Sequence, residues 1–286
     1  MSLAYDPSNE ALYHPERHDT LFASGQTYPP VQLAVEAARL AYYRAEVSPT
    51  ERDRLVDALG RAGFGDLVFF SNPGSGAAAF AARCHRDGSA LLSFRGTQPD
   101  NYKNWLADVE FPHVAWPESA GRVHEGFAGD FRSLAPQILT WMEAAKPDAH
   151  KLIVTGHSLG AAMATLAATL WRPEWLVTIG SPRVGDAVFA ATVKATHIVR
   201  FVDCCDGVTE VPPAIFGFEH VEARTYLTRN ARTVVDPPEA VVESDQWFGR
   251  LGYALKYGWQ IWRDVLIRDL ADHAPINYLR AIFPAD

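Results

Sequence analysis

The chain has 286 residues, 48% hydrophobic and 12% aromatic, enough to bury the core of one large α/β domain or two small ones. Its formal charge of −8 excludes a protein held to nucleic acid, or to an anionic membrane, by charge alone. The three cysteines, Cys84, Cys204 and Cys205, form neither an even-numbered disulfide framework nor a Cys/His metal spacing, so reduced thiols and a reducing compartment are expected.

Residues 1–30 are polar and contain Pro7, Pro15, Pro29 and Pro30; they read as an extended arm over the surface. No basic segment followed by an apolar run opens the chain, so the start does not read as a signal peptide. Together with the cysteines this favours a cytoplasmic protein and leaves secretion open. Val31, Val35, Ala38 and Tyr42 fall at helical spacing. Ser48-Pro49-Thr50 begins a second helix through about Leu59, with Glu51 and Asp53 in its first turn. Strands are predicted over 67–70, 77–85 and 90–94, punctuated by Asn72-Pro73-Gly74-Ser75-Gly76 and Arg86-Asp87-Gly88-Ser89. After Val123-His124-Glu125-Gly126-Phe127 an amphipathic helix runs to about Ala145. Further strands are predicted over 152–155, 176–179 and 197–202, and Asp186 caps a helix to about Thr196. Strands alternating with helices imply a mostly parallel, doubly wound sheet, without an internal repeat or a domain linker.

The most informative stretch is 151–170. A β-rich run, Leu152-Ile153-Val154-Thr155, turns through Gly156-His157-Ser158-Leu159-Gly160 into an alanine-rich helix. Strand, G-x-S-x-G, helix is the nucleophile elbow of an α/β-hydrolase. A serine standing free above a sheet needs a sharp, strained turn. Gly156 and Gly160 flank it because a Cβ at either place would collide as strand and helix close up. The Leu159 amide then lies at the helix N-terminus, aimed where an oxyanion would form. Triad order in this fold is Ser, acid, His. That leaves His220 and His273 as candidate bases, and Asp203 and Asp206 as candidate acids after the strand at 197–202.

With these motifs laid out, the chain resembles the class 3 lipases, the fungal-lipase-like branch of the α/β-hydrolases. The matching blocks are FRGT (94–97), NWLADV (104–109), VHEGF (123–127), VTGHSLG (154–160), GSPRVGD (180–186), VRFVDCCDGVTEVPP (199–213), FGFEH (216–220) and DHAPINYL (272–279). The resemblance implies His273 as general base and, by its spacing from Arg200, Asp206 as the acid. It implies the Thr97 amide as a second oxyanion donor beside Leu159. It also implies a lid over about 98–109, with Trp105, Leu106 and Val109 as its apolar side. Val208-Thr209 stands where the family has Val-Pro.

Other polar residues in these blocks read as architectural. Arg95 is expected to pair with a carboxylate, His124 and His157 to support their turns, and Asp186 to cap a helix. His220 is expected to bond a backbone group, Asp272 to hold its own loop, and Cys204 and Cys205 to pack.

The stretch 231–270 departs from the family. Trp247, Leu251, Leu255, Trp262 and Leu266 would share one face of a helix, interrupted by Arg250, Lys256, Arg263 and Asp264 and so not transmembrane. It reads as a core helix, as a second lid or substrate wall carrying Trp247, Leu251 and Trp262, or as an interfacial helix.

The expected activity is serine carboxylic-ester hydrolysis of acylglycerol or other acyl esters through an acyl-serine intermediate, with no metal or organic cofactor. Its partner would be an ester or lipid substrate at a lipid–water interface. The rivals are a phospholipase or lipid-cleaving effector, and a catalytically inactive scaffold.

Overall fold

The computed structural model describes residues 3–97, 111–259 and 262–283. The N-terminal stretch is more than a surface arm. Helix α1 (Asn9–Tyr13) is capped by Ser8, whose Oγ accepts from the Ala11 amide at 3.1 Å, and Ala11, Phe22 and Tyr28 are buried. Helix α2 (Pro30–Leu40) begins on a proline, which lacks the amide a helix start cannot satisfy. It is buried almost all round, Glu36 and Arg39 included. Two charges taken out of water must satisfy each other and their remaining hydrogen bonds. Here the Arg39 guanidinium forks onto the Glu36 carboxylate at 2.6 and 2.9 Å, and donates to the carbonyls of Pro15, His18 and Asp19. Glu36 in turn accepts from the Leu21 amide at 2.9 Å. The pair therefore fastens residues 15–21 to α2. Helix α3 (Pro49–Arg61) is capped by Ser48, which accepts from the Glu51 amide, as the sequence implies.

Among the described residues the main sheet has eight strands. They are β1 (Phe64–Ser71), β2 (Ala78–Cys84), β3 (Ala90–Phe94), β6 (Leu152–His157), β7 (Trp175–Ile179), β8 (His197–Asp203), β9 (Arg224–Leu227) and β10 (Thr233–Val235), in that spatial order. β4 (His113–Ala115) and β5 (Arg122–His124) form a separate small ribbon. The central strands from β3 to β9 run parallel, while β1–β2–β3 and β9–β10 are antiparallel. The parallel core agrees with the α/β-hydrolase reading. The two strands β9 and β10 were not expected, because neither carries a long apolar run.

Helix α4 (Glu125–Ala145) and α5 (Leu159–Trp171) cover one face of the sheet, packing on Leu152, Val154 and Leu176. Helix α2 covers the other, over Ile153, Val177 and Ile179. β6 is buried along its whole length, as a parallel strand covered on both sides should be. Two hydroxyls lock α2 to the sheet: Ser93 and Thr155 donate to the carbonyls of Ala37 and Ala34, both at 3.0 Å. Helix α6 (Ala187–Thr192) is shorter than expected, since Val193 is already extended.

The stretch 231–270 does not form the predicted helix. Helix α7 (Glu239–Tyr257) starts earlier, after Pro237-Pro238, and ends before Trp262 and Leu266. Its shared face is not core: Trp247, Leu251 and Leu255 are 60%, 44% and 71% exposed. Burial falls instead on Val242, Gly249 and Tyr253, so the core-helix reading does not hold. Helix α8 (Arg268–Ala271) and α9 (Pro275–Ile282) close the chain, with α9 in the same core as α2.

Glu36→Gln leaves a buried guanidinium without its counter-charge. It is expected to lower unfolding free energy by roughly 3 kcal/mol in urea denaturation; a loss under about 1 kcal/mol would show that the pair does not fasten the N-terminal segment.

Candidate active site

Ser158 sits between β6 and α5 with φ 58° and ψ −128°, a left-handed backbone that a residue with a side chain adopts only under constraint. The constraint is packing. A Cβ on Gly156 would lie 2.2 Å from the Gly160 carbonyl oxygen, and one on Gly160 would lie 2.2 Å from that of Phe94. The elbow therefore closes on itself and on the end of β3, which brings the FRGT segment alongside. The Ser158 amide donates to the Ile179 carbonyl at 3.1 Å, fixing the turn from the β7 side. Ser158 Oγ is buried and, among the described residues, accepts or donates no hydrogen bond.

Asp206 and His273, the pair that the family resemblance implies as acid and base, lie together. His273 Nδ1 lies 2.9 and 2.8 Å from the two Asp206 carboxylate oxygens, with both side chains buried. A carboxylate only accepts, so Nδ1 carries the proton and Nε2 is the unprotonated ring nitrogen. Asp206 accepts two further bonds, from the Val208 amide at 2.9 Å and from the Tyr278 hydroxyl. Burial together with the Asp206 charge pushes the Tyr278 phenol well above its ordinary range, so it stays a donor. The base is also tied to the nucleophile's neighbour, because His157 Nε2 lies 2.8 Å from the His273 carbonyl oxygen. That oxygen can only accept, so His157 carries its proton on Nε2 and its Nδ1 accepts from the Tyr42 hydroxyl at 2.6 Å. Burial, then the neighbouring His273, holds His157 neutral, well below the usual histidine range.

Leu159 opens α5, where the first amides have no partner inside the helix. Thr97 follows β3 at the point where that strand's end meets Gly160, and its Oγ1 is buried without a hydrogen-bond partner among the described residues. Trp105, Leu106 and Val109 lie outside the described residues. Trp247 and Leu251 are on the outward face of α7, and Trp262 lies beyond its end, 94% exposed.

The architectural expectations agree with the contacts. Arg95 pairs with Glu46 at 2.6 Å. His124 caps α4, its Nδ1 accepting from the Gly126 amide. Asp186 caps α6 through the Phe189 amide. His220 bonds the Thr209 carbonyl. Asp272 accepts from the Tyr5 hydroxyl at 2.7 Å, the Cys205 amide at 2.9 Å and Arg268 Nε at 2.9 Å. Asp203 faces Arg280 at 3.9 Å rather than the imidazole. Cys204 and Cys205 are buried with their sulfurs 3.4 Å apart. Their sulfurs and an Asp272 oxygen lie within 4.8 Å of one another, but the Asp272 carboxylate is already held by three donors, one a guanidinium. The sequence reading missed Tyr42, Tyr278 and Tyr5. Tyr278 stood inside the DHAPINYL block, so its place was visible but its hydroxyl's target was not.

A parallel central sheet with a strand–G-x-S-x-G–helix elbow places the chain in the α/β-hydrolase fold class, and the comparisons narrow it. Residues 91–216 match the family model of lipase (class 3). A secreted mono- and diacylglycerol lipase A of Penicillium cyclopium is 31% identical over 241 residues, 77% of this chain and 78% of that one. A lipase of Rhizomucor miehei is 36% identical over 171 residues, 55% of this chain, which spans about half, 47%, of that relative's length. Among solved structures, the Rhizomucor miehei triacylglyceride lipase has a TM-score of 0.58 at 28% identity, covering 72% of this chain and 82% of that one. A triacylglycerol lipase whose catalytic centre is described as a serine protease triad has a TM-score of 0.60 at 26% identity, covering 75% and 86%. The chain belongs to the class 3 lipase family. The Penicillium relative is a secreted protein, so the cytoplasmic leaning finds no support there, and among the described residues no helix is long and apolar enough to cross a membrane.

Tyr278→Phe removes a donor to the carboxylate that orients the imidazole. A hydrogen bond to a charged group contributes about 1.5–3 kcal/mol, so kcat on p-nitrophenyl butyrate is expected to fall about ten- to hundredfold with KM unchanged. An unaltered kcat would show that Tyr278 does not position Asp206.

Proposed function

We propose that this chain is a serine carboxylic-ester hydrolase that cleaves acylglycerols through an acyl-serine intermediate, with Ser158 as nucleophile, His273 as general base and Asp206 as the acid. The observation that carries the reading is the His273 Nδ1–Asp206 pair on a loop bonded to the residue before a strained elbow serine. Ser158 Oγ attacks the ester carbonyl carbon while His273 Nε2 takes its proton. The oxyanion meets the Leu159 and Thr97 amides, and the α5 dipole adds to their field. As the tetrahedral adduct collapses, the carbonyl–alkoxy bond breaks, and His273 returns the proton to the departing alcohol. Water, deprotonated by the same imidazole, then attacks the acyl-serine and releases the fatty acid. Asp206 holds the Nδ1–H tautomer and stabilises the imidazolium in both halves.

The relatives' names support acylglycerol as the substrate class, since they include a mono- and diacylglycerol lipase and triacylglycerol lipases. We also take the whole chain as one hydrolase unit, because α2, from the N-terminal part, packs on the same strands as the elbow.

Three outcomes test the reading. A fluorophosphonate probe should label the protein and fail to label Ser158→Ala; an unlabelled wild type would return the chain to the scaffold reading. Asp206→Asn should leave the fold intact and cut kcat about 10⁴-fold, and EDTA should leave the wild-type rate unchanged.

A further inference from the structure

Helix α7 carries its apolar side chains on the side that a sheet-packing helix would turn inward. Its buried stripe is Val242, Gly249 and Tyr253. Gly249 is pressed so close that a Cβ there would lie 2.9 Å from the Arg268 guanidinium and 3.1 Å from Cys204 Sγ. Polar bonds complete the inner contact: the Gln246 amide donates to the Cys204 carbonyl at 2.9 Å, and Arg250 forks onto Asp269. The outward side is different. Trp247, Phe248, Leu251 and Leu255 are 44–71% exposed, and Trp259 and Trp262, just past the helix, are 86% and 94% exposed. At 3.6 residues per turn, an arc of about 160° from Ala254 round to Gly252 has no charged side chain. A contiguous apolar face of this kind on a soluble protein marks a contact surface.

We propose that the outward face of α7 docks the protein on an electrically neutral lipid–water interface. This rests on the ester-hydrolase reading, and it concerns a helix outside the stretch 91–216 matched to the family. Three observations choose the occupant. Trp247 on the face, and Trp259 and Trp262 just past the helix, are all exposed, and tryptophan is the side chain that sits at headgroup level with an apolar body and a polar N–H. Of the charges on α7, Glu239, Asp245 and Arg250 are paired with Arg224, Arg229 and Asp269, which leaves Glu243 against Lys256 on a chain of net charge −8, so the helix lacks the cationic polar face that an anionic bilayer selects. The helix lies directly on the loops that carry Asp206 and His273, through Cys204 and Arg268. A lipid surface under α7 is therefore beside the chemistry that would consume it.

The test is sedimentation of the full chain with sucrose-loaded phosphatidylcholine vesicles, with and without added phosphatidylserine, beside a Leu255→Ser/Trp259→Ser double variant. Both altered residues are exposed, and circular dichroism and the thermal midpoint check the variant's fold. The wild type should partition onto phosphatidylcholine, keep doing so in about 0.5 M NaCl, where screening is strong, and lose tryptophan fluorescence to brominated acyl chains. The variant's partition coefficient should fall about tenfold or more. Equal partitioning of the two proteins, or binding that needs phosphatidylserine and disappears in salt, overturns the proposal. So does a wild-type dimer in sedimentation velocity that the double variant dissociates while vesicles bind neither protein. Failure of fluorophosphonate labelling would refute the hydrolase reading without touching these partition results.

Discussion

The site depends on a steric limit: the start of α5 lies so close to the ends of β6 and β3 that nothing larger than hydrogen fits at positions 156 and 160. That approach forces the connecting residue into a backbone costing about 1–3 kcal/mol, and the sheet holds it there. β6 is paired on both sides, with Phe94 opposite Gly156 in β3 and Thr178 opposite it in β7. Strain at Ser158 is thus imposed by surroundings that cannot relax without breaking a buried parallel ladder. The same approach brings the end of β3, which Thr97 follows, against the start of α5, which Leu159 opens.

Around this rigid turn the polar groups form a connected set in which each loop is anchored to another. Asp206 binds His273, Val208 and Tyr278; His273 binds back to His157; His157 binds Tyr42 beyond the end of α2. Three nearby aspartates divide the work by partner. Asp206 faces the imidazole, Asp272 joins the acid loop to the N-terminal segment through Cys205 and Tyr5, and Asp203 faces Arg280. Buried polar groups of this kind are costly singly and fix one arrangement jointly. The N-terminal residues therefore contribute to the geometry of the base loop: the Asp6 amide and carbonyl both bond Asn277, about one helical turn after His273.

The elbow and the central strands were legible because each has a local signature. Glycines at fixed offsets report close approach, apolar runs report buried strands, and Ser48 and Asp186 report helix starts through their own side chains. Choosing Asp206 over Asp203 and His273 over His220 needed the family spacing, because composition and order left both pairs open. What could not be read was long-range. Nothing near Tyr42 or Tyr278 says which buried acceptor its hydroxyl meets, 115 and 72 residues away respectively. Glu36 and Arg39 look like an ordinary exposed helical pair until α2 is seen to be covered on every side. The stretch 231–270 left three readings open for a related reason: its apolar period was real, but periodicity does not state which side faces the core.

That inversion in α7 has a structural logic. A helix that packed by its large apolar face would need a matching apolar groove, whereas Cys204, Arg268 and Asp269 line this contact. Packing instead through Gly249, Gln246 and Arg250 meets Cys204, Arg268 and Asp269 with complementary groups and little bulk. The large side chains are then left outward by default, and their cost in water is offset only where something apolar covers them. Because the inner contacts run to the neighbours of Asp206 and His273 themselves, a surface that covers the outer face lies against the same body that holds the triad.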